Sequence, residues 1–503
     1  MKKLILISIL MTALIWANLA YASNVTVTNV ELTNVNESAA TVDVEFDLSQ
    51  ANTFSGTDAN GASFCDRIWV FVKFWKDGWA TDGSVAWGHA TLTTGGTVST
   101  YSSSTKTGVT SDGTGAFCQT GANQTVRFDV GNTTGVAIND TIKVRVMAIE
   151  MVYVPEGSFY LGDGSSSSRF RIAASDTPAE ITTTGVVVKC TSSSYDDAYL
   201  EGDGILVDGD GGIDEDGTTE ISNADFPTGY GAFFVMKYEI SQGQYRDFLN
   251  TLTEAQASAR FPNNFNNYRH CITRVDEDPY VYYCNLDGDS TYDEDVDGEW
   301  IACNYLSWED GCAYTDWAGL RPMTELEFEK ACRGGGSSAV AGECAWGSSS
   351  ITAFTALYHS GQADEGPSTD SGSSVNKSCN LNYSDCDPDG PVRCGGFATG
   401  DTSRAQAGAA YYGVMEMSGN LYERTITLGN PEGRSFAGTH GNGNPSDANN
   451  SDWPGAAATG AGSRGGSWSS VASYSCVSNR GSAAYVNSGR NYNYGVRACR
   501  TSP

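Results

Sequence analysis

Between residues 24 and 148 apolar and polar residues take turns, and that period of two governs what this part of the chain can become. Val25-Thr-Val-Thr-Asn-Val-Glu-Leu alternates, as do Ala40-Thr-Val-Asp-Val-Glu-Phe-Asp-Leu and Ile68-Trp-Val-Phe-Val-Lys-Phe-Trp. Thr125-Val-Arg-Phe-Asp-Val and Thr141-Ile-Lys-Val-Arg-Val complete the set. Successive side chains of a strand point to opposite faces, so such runs build sheets. Connections of Gly, Ser, Thr and Asn, with no amphipathic helix, predict an immunoglobulin-like β-sandwich over 23–149. A domain of this type spaces or docks other parts, and no catalytic constellation lies in it.

From 150 to 503 the texture changes to an α+β domain rich in irregular chain. Met151-Val-Tyr-Val-Pro-Glu-Gly-Ser-Phe and Phe233-Phe-Val-Met-Lys-Tyr-Glu-Ile read as strands. Ser241 with Gln244 forms a capping box, and Tyr245, Phe248, Leu249 and Leu252 make the buried face of the helix it opens. Ser307 with Asp310 opens a second helix, stopped at Gly319. Thr324 with Glu327 opens a third, stopped at Gly334-Gly335-Gly336. Two acidic runs, Asp208-Gly-Asp-Gly-Gly-Ile-Asp-Glu-Asp and Asp287-Gly-Asp-Ser-Thr-Tyr-Asp-Glu-Asp-Val-Asp, have the composition of calcium loops. Neither has the Gly at position 6 and Glu at position 12 of the helix-loop-helix pattern, and a solvated insert is the bland alternative.

Charge removes whole classes of function. With 60 Asp+Glu against 30 Lys+Arg the formal net charge is −30, which opposes binding to nucleic acid or anionic lipid. The 4 histidines, His89, His270, His359 and His440, lie too far apart in sequence for a three-histidine metal centre.

Residues 1–22 read as a signal peptide. Lys2 and Lys3 precede an apolar stretch from Leu4 to Trp16, and Ala20-Tyr21-Ala22 is a small-x-small cleavage site. No other long apolar run occurs, so no transmembrane span is expected in the mature chain. Export to the medium or the cell surface makes the 14 cysteines candidates for disulfides. No CxxC pair exists. Cys65–Cys118 is the expected first pair, since these two alone precede residue 190.

The chain from 151 onward resembles the formylglycine-generating enzyme (sulfatase-modifying factor) family. The resemblance rests on motifs in the family's order: Met151-Val-Tyr-Val-Pro-Glu-Gly-Ser-Phe, Lys237-Tyr-Glu-Ile-Ser-Gln-Gly-Gln-Tyr, Leu306-Ser-Trp-Glu-Asp and Leu320-Arg-Pro-Met-Thr-Glu-Leu-Glu-Phe-Glu-Lys-Ala-Cys-Arg-Gly. Tyr412-Gly-Val-Met-Glu-Met-Ser-Gly-Asn-Leu-Tyr-Glu, Arg464-Gly-Gly-Ser-Trp and Tyr494-Gly-Val-Arg follow. It implies a C-type-lectin-like fold. The family's enzymes use copper and two cysteines, placed two and seven residues after the aromatic of the Gly-Gly-Ser-aromatic motif. Those positions here are Ser470 and Ser475. Cys476 is one residue off, and no further cysteine follows until Cys499. The iron-binding histidines of ergothioneine-synthase relatives are missing too. An inactive domain without copper or iron is therefore expected, with Cys476 and Cys499 paired to each other or buried. The resemblance also implies a structural calcium site at Asn420 and Glu423, although Arg424 stands where the family has an aromatic.

From Gly465 to Arg500 the chain is rich in Ser, Asn, Tyr, Gly and Val. Ser, Gly and Asn give adaptable hydrogen bonding and Tyr gives rigid contact area, the composition of a paratope. It also resembles the variable segment of retroelement-diversified proteins of this fold, where adenine mutagenesis of Asn codons yields Ser, Tyr, Gly, Val, Asp and Ala. The expected contacts are Trp468, Ser469, Ser470, Val471, Ser473, Tyr474, Asn479, Ser482, Tyr485, Asn487, Asn491 and Asn493. The expected partner is a protein or glycan on another surface. Two other readings remain open: a thiol oxidoreductase acting through Cys476, and a surface protein that self-assembles through its β domain with calcium bridges.

Overall fold

The computed structural model describes residues 25–164, 170–172, 177–184, 205–207, 223–277, 279–352, 354, 356–368, 389–399, 402–444 and 450–503. The expected signal peptide, the acidic run 208–216 and cysteines Cys190, Cys379 and Cys386 lie outside the described residues.

The period-two runs all become strands. A four-stranded sheet is built from β1 (Val25–Asn36), β2 (Thr41–Gln50), β3 (Leu92–Thr93) and β4 (Gly121–Asp129), in the order β1-β2-β4-β3. Val42, Val44, Phe46 and Leu48 turn one face of β2 inward. There they meet Ile68, Val70, Val72 and Phe74, which come from a strand of the second sheet (Ser63–Lys76), across one shared core.

That second strand is buried on both faces, which is why its apolar run is nearly unbroken. The alternate residues Trp69 and Phe71 belong to another core, with Phe248 and Trp317 of the helical part. Lys73 sits in the same stretch, fully buried, and donates from Nζ to the Trp317 carbonyl at 2.8 Å. Burial holds its pKa well below the usual lysine range, with Asp316 acting in the opposite direction.

The expected boundary at 149/150 falls inside one continuous strand, Ile142–Val154. Along one edge it pairs with Ser63–Lys76, from Ile142↔Lys76 to Tyr153↔Cys65. Along the other it pairs with Phe233–Met236, which in turn pairs with the C-terminal strand Ala498–Thr501. That strand pairs with Arg321–Pro322. One nine-stranded sheet therefore runs from the N-terminal layer into the C-terminal part. The N-terminal layers do not stand apart from the rest.

All three expected capping boxes form. α1 (Gln242–Leu249) starts at Ser241, α2 (Trp308–Trp317) at Ser307 and α3 (Glu325–Arg333) at Thr324. Gly319 and Gly334 end the latter two with φ of +69° and +92°, angles that suit glycine. A further short helix, Glu254–Arg260, has its own box in Thr253 and Gln256, a signal present in the sequence but not used above.

Since β-pairing and the Trp69–Phe71 face tie the two parts together, the protein should melt in one calorimetric transition. A fragment ending at residue 149 should be unfolded or aggregated, because it cuts a strand and exposes Trp69 and Phe71 at about 3 kcal/mol each. Two resolved transitions, or a fragment with cooperative melting, would show the tie to be weak.

Candidate functional site

The C-terminal segment rests on a base of buried ion pairs. Glu325 on α3 receives Arg464 Nη1 at 2.8 Å and Arg480 Nε at 2.7 Å on the same carboxylate oxygen. Its other oxygen takes the Leu428 amide at 2.7 Å. Glu329, one turn on, accepts from Arg464 Nη2 at 2.6 Å and from Arg333 Nη1 at 3.1 Å. Arg464 Nη2 also reaches the Val477 carbonyl at 2.7 Å. Every one of these side chains is buried. Burial pushes the Glu325 carboxyl up, and the guanidinium groups of Arg480 and Arg464 more than reverse that, so its pKa ends below the ordinary value.

The start and end of the segment are fixed as the motifs imply. Gly465 and Gly466 have φ of +86° and +71°. Trp468 is 1% exposed and packs against Tyr268 and Tyr492, with ring centroids 5.2 and 5.5 Å away. At the far end Arg497 donates to Glu423 at 2.7 Å and to the Met236 and Met415 carbonyls.

Between these anchors the expected contacts divide. Val471, Ser473, Tyr474 and Tyr485 are exposed, Tyr485 at 58%. Ser469, Asn479, Ser482, Asn487, Asn491 and Asn493 are half-buried. Trp468 and Ser470 are corrected: both are buried and cannot meet a partner directly. Trp468 is core, and Ser470 Oγ accepts from the Ser467 amide at 3.0 Å and is spent on the turn. Composition marked the segment, but an amino-acid count cannot say which face each residue takes.

Several of the half-buried residues have structural work as well. Asn479 Nδ2 donates to the Ser473 carbonyl at 2.9 Å, and the Tyr492 amide donates to Asn491 Oδ1 at 2.9 Å. Asn493 Nδ2 reaches Ser469 Oγ at 3.3 Å, joining the start of the segment to its end.

The sequence reading missed Ala472, Val486 and Ser488, which are exposed alongside Tyr474 and Tyr485. It also missed the two residues beneath them. The Tyr422 hydroxyl lies near Ser470, Ser482, Tyr474 and Tyr494. Arg424, the departure from the family pattern, lies 4.2 Å from the Tyr494 ring centroid and donates from Nη1 to the Asn487 carbonyl at 2.6 Å and from Nη2 to the Gly489 carbonyl at 3.1 Å. Burial lowers its pKa to about 10. An arginine there can hold the 487–489 loop through two carbonyls, which an aromatic ring cannot do. That substitution was the one available signal.

No thiol occupies either family position. Ser475 is fully buried and donates from Oγ to the Ala472 carbonyl at 2.6 Å. The cysteine beside it comes from a distant loop: Cys344 Sγ lies 3.7 Å from Ser475 Oγ. Cys476 Sγ lies 3.5 Å from the Gly342 carbonyl, next to the Cys344 loop, and Cys499 is buried within the C-terminal strand. The expected Cys65–Cys118 bond is also corrected. Cys118 lies opposite Ile68 and shares its core, whereas Cys65 packs on the Trp69 face, so the two thiols are on opposite sides of one sheet.

Two places offer oxygen ligands for a cation. Around Asn420, three buried carboxylates, Glu239, Glu416 and Glu423, bear on the single guanidinium of Arg497. Asn420 Oδ1 accepts from the Val392 amide at 2.9 Å, and its Nδ2 donates to Glu239. One oxygen each of Glu416 and Glu423 has no hydrogen-bond partner among the described residues. Burial raises the pKa of both, that of Glu416 to about 7. A surplus of buried carboxylate with orphaned oxygens is a donor set that suits a hard cation. In the second place, carboxylate oxygens of Asp287, Asp289 and Glu294 all lie within 4.8 Å of one another and could hold a metal ion. Asp297 is buried beside them, with Oδ2 on the Glu294 amide and Oδ1 without a hydrogen-bond partner among the described residues.

Comparison with known proteins adds the family. Residues 140–502 match the family described as sulfatase-modifying factor enzyme 1-like domain. Two solved structures match at 12% identity. One is Treponema denticola variable protein 1, with a TM-score of 0.33, covering 71% of this chain and 96% of that one. The other is the Major Tropism Determinant U1 variant, with a TM-score of 0.23, covering 94% of this chain and 83% of that one. No curated protein matches the chain.

Stability should separate base from surface. Trp468→Ala removes a buried aromatic and should cost about 3–5 kcal/mol. Tyr485→Ala and Val486→Ala, both exposed, should stay within about 0.5 kcal/mol of the parent. Urea melts of the three variants measure this, and an exposed-site loss as large as that of Trp468→Ala would place the segment in the core.

Proposed function

The chain belongs to the sulfatase-modifying factor family, and from that premise we propose that it is an exported ligand-binding protein whose domain has given up the family's oxidation chemistry. One observation carries the reading. Val471–Tyr474, Tyr485, Val486 and Ser488 are exposed in a segment rooted by fully buried ion pairs, and the family's two thiol positions in it are serines.

A surface of this kind gains affinity by preorganisation. Ordering side chains on binding costs free energy, and a backbone already fixed by Arg424, Arg480 and Arg490 has less to lose. Arg490 donates to both oxygens of Asp310, at 2.7 and 2.9 Å, and to the Phe261 and Ala259 carbonyls, so the 488–491 turn is held from below. Tyr474 and Tyr485 supply area, while Ser473, Ser482, Asn487 and Asn493 supply hydrogen bonds that adapt to the partner. The partner is a protein or glycan on another surface. The N-terminal layers, of immunoglobulin-like type, act as the spacer that presents this face. The Asn, Ser, Tyr, Gly and Val content of the segment supports diversification by a retroelement. A genomic near-copy of the 465–500 coding segment, differing at adenines beside a reverse-transcriptase gene, tests that part.

Calcium fits as a structural ion at the Glu416–Glu423 cluster and at Asp287, Asp289 and Glu294. Bound there, it would neutralise repelling carboxylates, and the chain's own part is to hold those oxygens in place. Asn420 positions Glu239, and Arg497 holds one oxygen of Glu423.

A second reading, thiol oxidation through Cys476, is favoured by one observation, the Cys344 thiol beside it. The two readings part on activity. The binding reading expects no formylglycine in a sulfatase-type cysteine peptide, with or without copper, by peptide mass, and turnover above a no-protein control would refute it. Calcium at 100 times its dissociation constant should add about 2.7 kcal/mol of stability. Chelator should therefore lower the melting temperature, Glu423→Gln and Asp289→Asn should each reduce that drop, and an unchanged melting curve would remove calcium from the account.

A further inference from the structure

We propose that Cys344 and Cys476 form a disulfide that pins the base of the exposed segment to the loop following α3. The segment and that loop run side by side. The Val477 amide donates to the Glu343 carbonyl at 2.8 Å, and the Ala345 amide donates to Ser418 Oγ, which itself donates to the Ser475 carbonyl at 2.6 Å. Cys344 and Cys476 flank the Glu343–Val477 bond from the two neighbouring segments. Cys476 Sγ lies 3.5 Å from the Gly342 carbonyl, and Cys344 Sγ lies 3.7 Å from Ser475 Oγ. The two thiols lie close enough for Cys344 to stabilise the Cys476 thiolate.

The two have different accessibility. Cys344 is 1% exposed, whereas Cys476 is half-buried. Among the described residues only Cys65 shares that access to solvent, and every other described cysteine is buried. The neighbouring Cys344 thiol lowers the Cys476 pKa, which favours its thiolate. Cys476 is thus the attacking sulfur and Cys344 the resolving one.

The oxidant is a small-molecule disulfide of the glutathione class, the kind available where exported proteins fold. The Cys476 thiolate attacks one sulfur of the oxidant, forming a mixed disulfide and releasing one glutathione thiol. The Cys344 thiolate then attacks the Cys476 sulfur, forming the Cys344–Cys476 bond and releasing the second glutathione thiol. Two protein thiols lose two electrons and two protons, and the oxidant gains them.

The bond closes immediately before Val477, whose carbonyl sits on Arg464, and two residues after the exposed Val471–Tyr474 turn. It therefore removes freedom from the turn at its root while leaving the exposed side chains untouched. Its effect on recognition rests on the binding reading above, whereas the bond itself does not.

The test uses the full chain, reduced with dithiothreitol, freed of it, and incubated with glutathione disulfide. Native alkylation with iodoacetamide and peptide mass spectrometry follow. The expected result is a Cys344–Cys476 crosslinked peptide lighter by two hydrogens, with Cys476 no longer alkylated and Cys65 still alkylated as the internal control. Cys476 remaining alkylable, stopping at the glutathione adduct, or pairing with Cys499 overturns the proposal. Hydrogen exchange over residues 471–476 should be at least about tenfold slower in the oxidised chain than in the reduced one. Equal rates in the two states overturn the pinning role. This comparison uses the unaltered sequence, so it does not depend on the folding of Cys476→Ser. If the crosslink forms and Tyr485→Ala leaves binding unchanged, the binding reading falls and the crosslink stands.

Discussion

Two glutamates on one short helix carry the burden of the C-terminal half. Glu325 and Glu329 lie one turn apart on α3, fully buried, and between them hold Arg464, Arg480 and Arg333. Those arginines come from the strand before the segment, from the middle of the segment and from the end of the helix itself. Removing one member of such a set leaves a charge without compensation in a dry interior, at a cost of about 3–5 kcal/mol. The network therefore behaves as one unit, and the exposed loop can be irregular because its root is not.

The same arrangement accounts for a loop with few regular elements above it. Arg464 also binds the Val477 carbonyl, and Arg424 binds the carbonyls of Asn487 and Gly489. Backbone groups that would pair in a sheet are instead met by guanidinium groups from below, so the chain satisfies its polar atoms without a ladder.

What was legible in the sequence follows from range. Capping boxes at Ser241, Ser307 and Thr324 are local, spanning four residues each, and all three formed. The alternating strands are local too. The boundary at 150 was not readable, because the strand Ile142–Val154 runs through it and its pairing to Phe233–Met236 is a long-range fact. Thiol partners failed for the same reason: Cys118 is the nearest cysteine to Cys65 along the chain, yet the pleat puts them on opposite faces. At the site, the framing residues Gly465, Gly466, Trp468 and Arg497 were legible from motifs. Tyr422 and Arg424 were not assigned to the segment, because they reach it from a strand some sixty residues away, as the Arg424–Asn487 hydrogen bond shows.

Anchors and exposed residues are interleaved within the segment itself, and this constrains how it can vary. Ser475, Val477, Ser478, Arg480 and Ala483 are buried between the exposed turns at Val471–Tyr474 and Tyr485–Ser488. Replacing Arg480 leaves Glu325 with Arg464 as its one guanidinium partner among the described residues, and replacing Arg490 removes the closest ion pair of Asp310. Replacement of the whole block would break the base. Change confined to single positions, by contrast, passes over the anchors and falls on Ser473, Tyr474, Ser482, Tyr485, Asn487 and Asn493. Selectivity by codon is one way to meet that requirement, since arginine and buried alanine or valine positions need only lack the targeted base. A surface of this construction can tolerate change at its exposed positions because the energy that holds it lies in side chains such change does not reach.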